Sequence, residues 1–129
     1  MDEADKFVES MKEMFGEDFY VEVQDHGLEE EKRVYPMLVD IARRHGVKTV
    51  ATNDVHYINK EDSVVQDVLM CVQMQKTVDD PDRLKFETDE FYLKTGDQMA
   101  ALFPDNPEAI KNTIEIADKC NFTFKDIDK

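Results

Sequence analysis

Two short runs rich in β-branched and aromatic residues constrain this chain more than anything else in it. Residues 19–23 read Phe-Tyr-Val-Glu-Val and residues 47–52 read Val-Lys-Thr-Val-Ala-Thr, both patterns that favour strands. Between them, residues 28–45 carry a helical pattern with Val34, Leu38, Ile41 and Ala42 on one face. A strand, a helical crossover and a second strand predict two neighbouring parallel strands. Tyr20 is large, as are Phe19, Val21 and Val23, so the first strand is expected to be covered on both faces. Glu29, Glu30 and Glu31 open the crossover helix and Arg43, Arg44 and His45 close it, both in keeping with the helix dipole. Gly46 supplies the stop. Pro36 falls inside the pattern, so either the helix kinks there or a first short turn ends before it. His45 is expected to be an exposed helix-end residue and not a ligand.

Parallel strands release their C-terminal ends on one side, and polar residues gather there. The second strand runs out into Asn53-Asp54-Val55-His56-Tyr57. Asp54 and His56 stand two apart, which at a strand end points both side chains to one side. A carboxylate and an imidazole converging in this way form half of a metal site. The same pair also fits a simpler arrangement, with Asp54 capping a turn and His56 partly buried. The first strand leaves through Gln24-Asp25-His26-Gly27. His26 therefore comes out at the same end, either at the rim of a metal site or as a turn histidine bonding backbone.

The flanking segments read as helices. Residues 2–15 form an amphipathic helix with Phe7, Val8, Met11, Met14 and Phe15 as its core stripe, Asp2 as cap and Gly16 as stop. Asn59 and Asp62 form a capping box ahead of a helix striped by Val64, Val65, Val68, Leu69 and Val72 and widened by Met70, Cys71 and Met74. That breadth predicts cover on more than one side. Residues 77–82 are a turn-rich break, and Asp79, Asp80 and Asp82 within it lack the glycine and terminal glutamate of a calcium loop. Residues 83–86 and 90–93 are short extended runs that could pair as a hairpin. Thr95 and Gln98 form a second capping box before Met99, Leu102 and Phe103. Asn106-Pro107 opens a last helix, with Ile110, Thr113, Ile114, Ala117 and Cys120 as its inner face. Residues 121–129 read as the start of an extended linker.

Charge excludes one class of function. Asp and Glu total 30 against 16 Lys and Arg, a net charge of −14 across 129 residues. Such a surface repels phosphate, so autonomous binding of nucleic acid is not expected. Lys85 with Arg83 and Lys94 is the one local basic group that could oppose this. No apolar run is long enough for a membrane span and no leader pattern is present, which predicts a cytoplasmic protein. Cys71 and Cys120 lie in helical patterns without metal-ligand spacing and are expected to be reduced, buried thiols. Nucleotide-binding glycine motifs and the nucleophile elbow are absent from the sequence.

Three blocks in order, QDHGL, ATNDVHY and RLKFETDEFYLK, resemble the bacterial DNA polymerase III alpha subunit. The similarity runs over nearly the whole chain. It matches the later part of that family's polymerase and histidinol phosphatase (PHP) domain and the segment after it. The resemblance implies an α/β fold: a partial PHP-type fragment of a distorted β/α barrel with two parallel strands and a crossover helix, then a mainly helical segment. It divides the chain into residues 1–76, the end of the PHP domain, and residues 77–129, a helical segment and linker toward the polymerase palm. Asp54 and His56 match the family's metal-ligating D-x-H pair. The other ligands, including an early H-x-H, lie upstream in that family.

The implied parent is a DNA-directed DNA polymerase acting in replication. Its PHP site takes zinc, manganese or iron, and its palm, outside this chain, takes magnesium. The PHP region serves either as a 3′–5′ exonuclease or as a scaffold. The alternatives are a structural and interaction module without activity of its own, or a stand-alone PHP phosphoesterase, which the RLKFETDEFYLK block disfavours. Expected partners are the remainder of the alpha subunit, DNA through the parent only, and other copies of this chain, since open strand edges invite self-association.

Overall fold

The computed structural model describes residues 2–124. Its elements run α1 (Glu3–Phe15), β1 (Tyr20–Val23), α2 (Glu29–His45), β2 (Lys48–Ala51), α3 (Ser63–Met74), α4 (Gly96–Leu102) and α5 (Pro107–Lys119). Single 3-10 turns occupy Gly16–Asp18 and Lys60–Asp62.

β1 and β2 are parallel neighbours, with Val21 opposite Thr49 and Val23 opposite Ala51. All four of these side chains are buried, so they define the inner face of the sheet. Val23 and Ala51 meet Phe103 and Ala109 there, with Tyr35, Leu38 and Val39 of α2 and Ile110 of α5 packed around them. Phe103, at the end of α4, is only 1% exposed and is the largest side chain in this core. Glu22, on the other face, is exposed and takes a hydrogen bond from the Thr52 hydroxyl. The expectation of cover on both faces is therefore corrected, because the core helices meet the side that presents Val21 and Val23. Among the described residues the sheet has these two strands, and no barrel closes around them.

α2 runs unbroken through Pro36. Lys32 and Pro36 are both exposed, so the carbonyl that loses its donor can turn to water. Gly46 ends the helix in the left-handed region at φ 59°, donating to the carbonyls of Ala42 and Arg43.

α1 begins with a capping box between Asp2 and Asp5. Its stripe is largely not core: Val8 is buried, while Phe7, Met14 and Phe15 are exposed. The helix is held by polar contacts instead. Asp5 accepts from Arg44 Nη1 at 2.5 Å and from His45 Nε2 at 2.8 Å, and Lys12 donates to the His45 carbonyl. His45 is thus a mostly buried hydrogen-bond partner of Asp5 and not the exposed residue expected from its place at a helix end.

Other expectations shift in the same way. α3 comes after its Asn59–Asp62 capping box, but its valine and leucine stripe lies open. Residues 83–86 and 90–93 do not form a hairpin; Tyr92 makes a lone parallel bridge to Tyr57. α5 is capped by Asn106 and starts on Pro107. Its buried residues are Ala109 and Asn112, while Ile114 is exposed, because the Asn112 amide donates to the Thr49 carbonyl at 2.7 Å and sets the helix rotation. Cys71 is buried, Cys120 is exposed, and both are free thiols. Part of the expected linker, residues 125–129, lies outside the described residues.

Glu115 ties α5 to both strands. It accepts from the Tyr20 hydroxyl at 2.6 Å and from Lys48 at 2.7 Å. Lys48 and then Tyr20 hold its carboxyl down at about 2, as His45 and Arg44 hold Asp5 at about 2.

These contacts set two expectations for stability. Phe103→Ala should cost about 3–5 kcal/mol in urea unfolding, because no neighbour can fill the space left. The carboxyls of Asp5 and Glu115 are depressed in the fold, so their contribution is complete above their ordinary values of 3.8 and 4.5 and is lost as pH falls toward 2. An Asp5→Asn/Glu115→Gln variant should be less stable than the parent sequence near neutrality. The difference should shrink as pH is lowered from 4 toward 2, as read by thermal unfolding across that range.

Candidate metal centre

The polar end of the sheet is built by a turn after β1, the segment after β2, and residues 88–93. Thr52 extends the ladder by donating to the Val23 carbonyl at 3.1 Å, and Gln24 donates to its hydroxyl at 2.9 Å. Beyond it the chain leaves the sheet. Its backbone is then held by different partners: His56 N–H donates to the Phe91 carbonyl at 2.8 Å, and Leu93 N–H to the Tyr57 carbonyl at 3.0 Å.

His26 is the hub of this end. It is 1% exposed, and its ring lies flat on Phe91 at 4.5 Å between centroids. The Asp54 N–H donates to Nε2 at 3.0 Å. A backbone N–H can only donate, so Nε2 is the acceptor for Asp54 and Nδ1 carries the proton toward Glu31 Oε1, 2.7 Å away. The His26 N–H donates to the other Glu31 oxygen at 2.6 Å. Burial alone would raise the Glu31 carboxyl, but these bonds from His26 outweigh it and leave it below its ordinary value. The Asn53 amide donates to the Tyr92 carbonyl at 2.9 Å, which places its oxygen 3.1 Å from His26 Nε2. Gly27 comes next at φ 80°, a backbone that side chains rarely adopt. Thr88 donates to the His26 carbonyl at 2.7 Å.

Asp54 and His56 lie together on the open side of this hub. Asp54 Oδ1 is 3.6 Å from His56 Nδ1, with side chains 54% and 34% exposed. His56 Nδ1 also lies 3.2 Å from the Asp54 carbonyl. A proton on Nδ1 donated to that carbonyl leaves the Nε2 lone pair free, as a ligating imidazole requires. The His56 ring is held edge-on by Phe86 at 4.8 Å and Phe91 at 5.6 Å. The donor chemistry therefore fits a divalent metal, yet among the described residues no three His, Cys, Asp or Glu side chains gather as one such group. Two donors from this chain need further ligands from elsewhere. His26 stands next to the pair, but both its ring nitrogens are engaged.

Sequence reasoning missed Glu31, Asn53 and Phe91. Glu31 read only as a first-turn acid of α2, and Asn53 and Phe91 meet His26 across long stretches of chain, which local periodicity does not register. The local basic group is also absent as a surface. Arg83 is clamped by both oxygens of Asp67, and Lys94 has a side chain only 2% exposed, against Glu90 and over the Tyr92 ring. Only Lys85 of the three is exposed.

No family model matches the chain. Individual proteins do. The DNA polymerase III subunit alpha of Treponema pallidum (strain Nichols) is 52% identical over 120 residues, 92% of this chain and 10% of that protein. The chain is a relative of one segment of the DNA polymerase III alpha subunits. The subunit of Helicobacter pylori (strain 26695) is 44% identical over 119 residues, again 92% of this chain and 10% of its own length. That of Thermus aquaticus is 45% identical over 111 residues, 84% of this chain and 9% of its own. The chain spans about a tenth of the length of the curated relatives it matches. No helix among the described residues is long and apolar enough to cross a membrane.

His26→Ala should lower unfolding stability by roughly 1–3 kcal/mol, since it strands the Asp54 amide and the Glu31 carboxylate. His26→Gln should recover only part of this, because it cannot serve both partners while stacking on Phe91. Urea titration of the two variants measures it.

Proposed function

We propose that this chain works as one segment of a DNA polymerase III alpha-type subunit, where Asp54 and His56 contribute two ligands to a divalent metal site completed by residues outside it. The observation that carries this is the pairing of Asp54 and His56 at the C-terminal end of β2, in a chain 52% identical to such a subunit over 92% of its length. Residues 1–76 form the end of a PHP-type domain and residues 77–129 lead on toward the palm. The parent extends DNA, with magnesium in a palm outside this chain.

A carboxylate beside an imidazole suits zinc, manganese or iron. A metal held there supplies Lewis acidity toward a phosphodiester, the chemistry of a 3′–5′ exonuclease. Within this chain Asp54 would hold the metal through its carboxylate and His56 through Nε2, with the Nδ1–H donating to the Asp54 carbonyl. His26 orients the pair through the Asp54 amide, and Phe86 and Phe91 restrict the His56 ring. In the scaffold form of this reading the same contacts serve stability alone. For the 129 residues by themselves a structural role is favoured, because the described residues hold no three-donor group.

In the full-length subunit, Asp54→Asn or His56→Ala should lower the metal content measured by elemental analysis. Both variants should leave DNA synthesis to fall only as far as stability falls. Retention of the complete PHP metal load by the double variant would remove these residues as ligands. The isolated chain should bind neither single- nor double-stranded DNA at moderate salt, given its charge of −14. Fluorescence anisotropy with labelled oligonucleotides reads this directly.

A further inference from the structure

The two candidate ligands follow β2, but the chain that holds His56 comes from elsewhere. The His56 N–H donates to the Phe91 carbonyl at 2.8 Å, and the Leu93 N–H to the Tyr57 carbonyl at 3.0 Å. The Phe91 N–H donates to the Tyr57 hydroxyl at 3.3 Å. The His56 imidazole meets both Phe86 and Phe91 edge-on, and those two rings pack on each other at 4.4 Å between centroids. Residues 84–94 contain no helix, and their one ladder contact is the Tyr57–Tyr92 bridge. Ligand and irregular segment therefore hold each other in place. The two phenylalanines differ in what else they do. Phe91 is 6% exposed and also carries the buried His26 ring, so it serves the fold. Phe86 is only half-buried and borders an open recess with Tyr57, Lys85 and Thr88. The ring contacts of Phe86 are with His56 and Phe91.

We propose that Phe86 is a positioning residue for His56, and that a divalent cation bound at Asp54 and His56 orders residues 86–93 through that contact. This rests on the reading of Asp54 and His56 as metal ligands. A ring already held in its ligating orientation loses less freedom when the metal binds. Binding free energies are reciprocal, so a segment that raises affinity for the metal is itself made more ordered by the metal. One side chain carries the coupling, because residues 86–93 engage both the backbone and the ring of His56.

The test uses the full-length subunit, stripped of metal with a chelator and titrated with zinc alone. In the parent sequence, zinc should slow hydrogen exchange in peptides covering His56 and residues 86–93, as read by mass spectrometry. Peptides of α1, which is tied to α2 through Asp5, should stay as they were. Phe86→Ala should weaken zinc binding roughly 10–100-fold, measured by competition with a chromophoric chelator, and should remove the slowing at residues 86–93. Phe86→Tyr keeps the ring and should return both. Thermal unfolding of the metal-free variants separates lost affinity from lost folding. Unchanged exchange at residues 86–93 when zinc is added to the parent sequence would overturn the proposal without any variant. Equal slowing in α1, or parental zinc affinity in Phe86→Ala, would do the same. Parental zinc affinity in His56→Ala would instead remove the ligand reading itself, whatever Phe86 does.

Discussion

The parallel pairing of β1 and β2 is the constraint on which the rest of this structure depends. Each strand is only four residues long, too little to be stable as a bare pair. The pairing holds because Val21, Val23, Thr49 and Ala51 turn one face toward a core that α2, α4 and α5 share. Parallel order also brings the two exits, at His26 and at Asp54, to the same end of the sheet. An antiparallel pair would have separated them. The candidate metal centre is thus a consequence of strand direction, and the buried hydrogen bonds of His26 then convert proximity into fixed geometry.

What the sequence reveals here depends on how local the cause is. The strands, the crossover helix and the capping boxes of Asn59–Asp62 and Thr95–Gln98 are set by residues within a few positions of one another, and all are present; the continuity of α2 through Pro36 and the Asp2–Asp5 box were not read from the sequence. The capping box of Asn59 and Asp62 needs only its own turn. Burial was less legible because it depends on partners far along the chain. α5 shows this: its apolar residues suggested a face through Ile114 and Ala117, but a single amide, Asn112, bonds the Thr49 carbonyl and rotates Ala109 inward. An unpaired carbonyl in the core would cost more than an exposed isoleucine. His45 shows it as well. Its position at a helix end suggested water, and Asp5 from another helix decided otherwise.

At the candidate centre the split is similar. The two-residue spacing of Asp54 and His56 could be read directly, because side chains two apart share a side wherever the backbone is extended. The support around them could not. Glu31, Asn53, Phe86 and Phe91 come from separate stretches of chain and carry no motif. Such outer residues fix ring orientation and tautomer, so the legible pair is only the visible part of a larger arrangement.

Acidity and apolar exposure in one chain have a common physical origin if its surroundings are protein. A net charge of −14 keeps the open surface hydrated. The α3 stripe and the uncovered side of the sheet at Glu22 and Thr52 then differ in kind. The first is apolar and gains from being covered, while the second is polar and already satisfies itself through the Thr52–Glu22 bond. Lys48, Lys60, Arg83 and Lys119 are each engaged by carboxylates within the chain, which uses up positive charge internally and leaves the excess of acid outward. A surface of this character is unsuited to gripping a phosphate backbone. Asp54 and His56 stay paired at the polar end of the sheet, on a surface whose apolar exposure is concentrated elsewhere, on α3.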